Sequence, residues 1–166
     1  TTLGTFAYSA TLPSAKESFT TIENDLVSIK VANKGGYIVE AKLKKFEKFK
    51  KDSGELVELI KDNNSNLNIS LQTQDNRILQ TKEMFFEPTL TKSGENQILS
   101  MRLKAGENQF LEYKYVLSPN EYMLDFDIHS EGLNTILNTS KPLDLEWNLK
   151  AFRNEKSISY ENRYAE

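Results

Sequence analysis

Asp125 and Asp127 stand two residues apart in the run Tyr122-Met123-Leu124-Asp125-Phe126-Asp127-Ile128, which puts both carboxylates on one face of an extended strand. Paired carboxylates carry glycoside hydrolysis, where a separation of about 5–9.5 Å selects the stereochemical outcome. Here the opposite face of the strand is the apolar one, formed by Tyr122, Leu124, Phe126 and Ile128, so the aspartates are expected to face solvent. His129, the only histidine, follows that strand. It would need a carboxylate partner to serve as a general base, and the sequence alone places none beside it. The absence of cysteine excludes thiol catalysis, disulfides and cysteine-based zinc sites, and a single histidine argues against imidazole metal clusters. No glycine-rich phosphate loop or nucleophile elbow is present. The expectation is a chain with no catalytic residue, no metal ligand and no cofactor.

The other chemistry-bearing cluster is basic: Lys42, Lys44, Lys45, Lys48, Lys50 and Lys51. A solvated strand face and turn is the favoured reading, ahead of a phosphate or lipid-headgroup patch. The chain as a whole carries a net charge of −3 and a pI near 5.4, the reverse of the usual nucleic-acid binder, so no nucleic-acid partner is expected.

The elements that must position these residues are strands. Val27, Ile29 and Val31 alternate with Ser28, Lys30 and Ala32; Asn33-Lys34-Gly35-Gly36 supplies a turn; and Tyr37, Val39, Ala41 and Leu43 resume the alternation. This predicts a hairpin with positive φ at Gly35 or Gly36. Shorter strand-like runs follow at Leu56–Ile60 and at Leu67, Ile69 and Leu71. Met84-Phe85-Phe86-Glu87-Pro88 ends in a proline that suits a strand end or a sheet edge. Leu99, Met101 and Leu103 alternate with polar residues, as do Leu111, Tyr113, Tyr115 and Leu117. Ser118-Pro119-Asn120-Glu121 reads as a type I turn, and the Tyr122–Ile128 strand follows it. Leu143, Leu145, Trp147 and Leu149 share a face of the last strand, which predicts a core position for Trp147. Residues 1–20 are rich in Ser, Thr and Ala without periodicity and read as a linker; residues 21–166 read as the folded domain.

At 166 residues the chain is long enough for one substantial core, and 38% apolar with 27% charged residues is a globular balance. No run approaches the roughly 18–20 apolar residues that span a bilayer. Thr1-Thr2-Leu3-Gly4 has no basic start and no apolar stretch, so the chain is expected to be either a processed protein or a trimmed piece of a longer one. Adjacent strands joined by short turns pair antiparallel, and one apolar face per strand implies sheets packed face to face. The fold class expected is all-β: a large antiparallel β-sandwich with at most a short helix.

A family resemblance is carried by segments in order. Phe19-Thr20-Thr21-Ile22-Glu23-Asn24-Asp25-Leu26 leads into Asn33-Lys34-Gly35-Gly36-Tyr37 and the strand after it. Met84–Pro88, Leu111–Leu117, Tyr122–Phe126 and Leu145-Glu146-Trp147 follow, with Asn154-Glu155-Lys156 and Tyr160-Glu161-Asn162 beyond them. Together they resemble the large periplasmic domain of the bacterial membrane-protein insertase family YidC, in its Bacteroidetes branch. The resemblance implies a β-supersandwich similar to galactose mutarotases, on the periplasmic face of the inner membrane, with residues 1–20 as the linker after a transmembrane helix. It also implies that the family's domain continues past the position of Tyr164, through further strands to a terminal helix. Its implied role is non-catalytic: contacts with accessory subunits of the Sec translocon and with nascent membrane-protein segments, while a helical membrane core carries out insertion. The positions expected to matter structurally are Asn24, Gly35, Gly36, Tyr113, Tyr122, Trp147 and Glu155. The alternative is a sugar-binding or aldose-epimerase-like protein of the mutarotase fold. Epimerase chemistry needs an acid and a base flanking the ring oxygen, and His129 supplies at most half of that pair.

Overall fold

A computed structural model describes residues 2–164 and shows an all-β antiparallel sandwich. Strands β1 (Phe19–Glu23), β2 (Val27–Ala32), β3 (Ile38–Glu47) and β4 (Leu56–Ile60) form the first sheet in sequence order. β5 (Ser65–Gln72) and β6 (Ile78–Gln80) pair next. β7 (Glu87–Ser93), β8 (Asn96–Gly106), β9 (Gln109–Leu117) and β10 (Leu124–Glu131) form a second four-stranded meander. β11 (Asp144–Leu149) then returns to pair with β5, completing a three-stranded sheet of order β11-β5-β6. One short helix, α1 (Ile158–Tyr164), lies near the end.

Alternation explains why these segments are strands and where the core lies. In β8, Leu99, Met101, Leu103 and Ala105 are buried while the residues between them are half-buried, and in β9 Leu111, Tyr113, Tyr115 and Leu117 are buried. They meet Ile22, Ile29 and Val31 of the first sheet and Ile69 and Leu71 of β5 in one continuous apolar cluster. Proline sits where its missing N–H costs no ladder bond in the sheet interior, at Pro88 of the edge strand β7.

Four sequence expectations need correction. The segment read as a linker is partly structured: Gly4–Thr11 forms a 3₁₀ helix against β8 that buries Phe6 completely, Ser9 Oγ donates to the Phe6 carbonyl at 2.9 Å, and β1 begins at Phe19. Leu3 packs against the core beside Phe6, and the Ser14 and Ser18 carbonyls accept from Asn33 Nδ2 and N at 3.0 and 2.9 Å, so the segment is docked at both ends. The turn at Ser118–Glu121 is not type I, because Asn120 has φ +58°, a left-handed value that asparagine tolerates. His129 lies inside β10 rather than beyond it. Trp147 is 67% exposed, and Leu143, Leu145 and Leu149 on the same face are 51–54% exposed. The alternation there is real, but no second layer covers β11 among the described residues.

Candidate partner-binding groove

The turn between β2 and β3 is a junction. Gly35 and Gly36 both have positive φ, +82° and +67°. Gly35 N donates to the Met84 carbonyl at 2.8 Å, and Phe86 N donates to the Asn33 carbonyl at 2.7 Å, tying the turn to the segment before β7. A β-carbon on Gly36 would lie 2.8 Å from the Phe86 ring, so the glycine is also demanded by close approach. Tyr115 Oη donates to the Gly36 carbonyl at 2.8 Å, and Tyr113 Oη donates to Thr81 Oγ1 at 3.1 Å. Burial raises both phenols, Tyr113 to about 12, so each is a neutral donor at physiological pH.

A second junction is built on Asn24. Its Oδ1 accepts from Leu26 N at 2.8 Å and Val27 N at 2.9 Å, which forms the β1–β2 turn. Its Nδ2 donates to the carbonyls of Ser118 at 2.9 Å and Glu121 at 2.7 Å, clamping the left-handed turn between β9 and β10. Tyr122, 41% exposed, lies just beyond and packs its ring 5.9 Å from that of Phe46. Glu155 is exposed; its backbone N donates to Glu161 Oε2 at 3.4 Å and its carbonyl accepts from Arg153 Nε at 2.8 Å.

Between these junctions an open groove of about 500 Å³ runs from the start of β3 to β11. Ile38, Ile60 and Leu67 line one part, Tyr115 and Phe126 another, and Trp147 belongs to it as well. The Phe126 ring rests on Tyr115 at 4.9 Å between centroids and meets Tyr113 edge-on at 5.7 Å. Trp147 Nε1 donates to Ser65 Oγ at 3.4 Å, a long contact. The lining carries no carboxylate, amine or imidazole. On either side stand strands with one free edge: among the described residues β10 pairs only with β9, and β11 only with β5. Phe126 and Ile128 on β10 are 38–39% exposed, so the apolar faces of both edge strands are left open. Such an arrangement can take up an extended or apolar segment by strand addition and side-chain packing.

The titratable candidates lie elsewhere. Asp125 and Asp127 are exposed on the outer face of β10, as expected for a solvated pair. Strand register supplies what the sequence could not, since His129 is directly opposite Glu112 of β9. The Glu112 carboxylate is already engaged: one oxygen accepts from Ser100 Oγ and from Arg102 Nε at 2.8 Å. Burial opposes ionisation of Glu112, yet these hydrogen bonds and the nearby positive charge of Arg102 hold its pKa below the usual carboxylate value. No hydrogen bond joins it to His129 among the described residues; His129 instead lies 6.5 Å from the Phe110 ring. The described residues contain no group of three or more His, Asp and Glu arranged to hold a metal.

The lysine cluster is only partly a solvated face. Lys48 is buried, and its Nζ contacts Glu58 Oε2 at 2.9 Å, while Lys42 and Lys61 approach Glu58 at 3.5 Å each. Lys44 pairs with Glu23 at 2.8 Å. The hydrogen bond from Lys48 lowers the Glu58 pKa, and the same bond raises that of Lys48.

The fold defines an antiparallel β-sandwich with an uncharged open groove and free strand edges among the described residues. Comparison with known families gives the assignment: the chain matches the family described as the YidC periplasmic domain over residues 20–165, and it belongs to that family. It is 36% identical over 149 residues to the membrane protein insertase YidC of Parabacteroides distasonis, covering 89% of this chain and 23% of that protein. The corresponding insertase of Azobacteroides pseudotrichonymphae is 33% identical over 150 residues, covering 90% and 24%. That of Bacteroides fragilis is 34% identical over 152 residues, covering 91% and 24%. The chain therefore spans about a quarter of the length of these relatives. The family places this segment on the periplasmic face of the inner membrane. No solved structure matches the chain.

Proposed function

We propose that this domain is a non-catalytic interaction module of a membrane-protein insertase, which contacts accessory subunits of the Sec translocon and segments of nascent membrane proteins. The observation that carries the reading is the groove: apolar, free of carboxylates, amines and imidazoles in its lining and flanked by the edges of β10 and β11, which are unpaired among the described residues. Inserting an apolar helix is driven by partitioning into lipid and is guided within the bilayer, a step that a sandwich standing outside the bilayer does not supply. Weak protein contacts along a strand edge are what it does supply.

The test is deletion of residues 21–162 from the full-length parent in a strain depleted of the wild-type protein. Insertion of a small Sec-independent substrate should persist, while co-purification with the translocon weakens. Failure of that insertion with the membrane core folded and abundant would overturn the proposal. Turnover of a simple aldose by the purified domain, abolished by H129Q, would establish the mutarotase-like alternative in its place.

A further inference from the structure

We draw no further inference here: the strongest candidate, the exposed surface patch where Phe46 near the end of β3 packs 5.9 Å from the Tyr122 ring of the β9–β10 connection, beside the bare Met123, carries nothing, because nothing in the structure shows what covers it.

Discussion

Tyr115 donates its phenolic hydrogen to the carbonyl of Gly36 at 2.8 Å across 79 positions of sequence, with the bond itself buried. This contact joins the middle of the second meander to the β2–β3 turn beside the groove. Gly36 serves it twice: its left-handed backbone turns the carbonyl toward the tyrosine, and its missing side chain leaves room for the Phe86 ring. Phe126, stacked on Tyr115, passes the arrangement on to the open edge strand.

Replacing Gly36 with valine forces a β-branched residue into φ +67° and against a ring 2.8 Å from its β-carbon. The expected loss is about 2–4 kcal/mol, from backbone strain and overpacking together. Urea unfolding followed by circular dichroism measures it, and a loss under about 0.5 kcal/mol would contradict this account of the turn.

Asn24→Ala removes four hydrogen bonds that link the β1–β2 turn to the β9–β10 turn. Stability should fall by about 1.5–3 kcal/mol, since three of the four hydrogen bonds lost are partly buried. Amide exchange should rise at Leu26 and Val27, whose N–H groups lose their acceptor. Unchanged protection at both amides would show that water replaces the side chain without loss.

Trp147, as the single tryptophan, reports directly on the groove. At 67% exposure its emission should lie toward the red and be quenched freely by acrylamide. Trp147→Ala should cost less than about 1 kcal/mol, as for other exposed positions. A blue, protected emission from the isolated chain would mean that this face is covered in solution.

The Glu58 site makes stability depend on pH at both extremes. Glu58 has a lowered pKa in the folded state, so its contribution is present above its unfolded value near 4.5 and is lost as pH falls through the folded one. Lys48 has a raised pKa, so its contribution is present below its unfolded value of 10.5 and is lost as pH rises through the folded one. Glu58→Gln should cost about 1–3 kcal/mol at neutral pH and flatten the acid limb of a plot of melting temperature against pH. An acid limb unchanged by the substitution would contradict the assignment.

Much of the fold was legible because alternation is a local property. The Leu99–Leu103 and Leu111–Leu117 patterns mark β8 and β9 without reference to any other part of the chain, and the glycines after Asn33 mark the first hairpin. The candidate site was far less legible. Lys42 and Lys48 lie in a run that reads as uniformly basic, yet β3–β4 pairing sets Glu58 opposite Lys42 and within reach of both. The carboxylate neighbour of His129 is likewise fixed by pairing with β9 and leaves no trace near His129 in the sequence.

Trp147 and Tyr115 mark the limit most clearly. Both sit at apolar positions of well-patterned strands, and the sequence by itself determined that each shares a face with leucines, that the strands are antiparallel, and to which family they belong. Only the tertiary structure decided that Tyr115 is sealed in the core while Trp147 stands open at the groove. Period two specifies which side chains point the same way. Whether that side meets another layer depends on which strands stack above it, and β9 lies between two neighbours where β11 has a free edge.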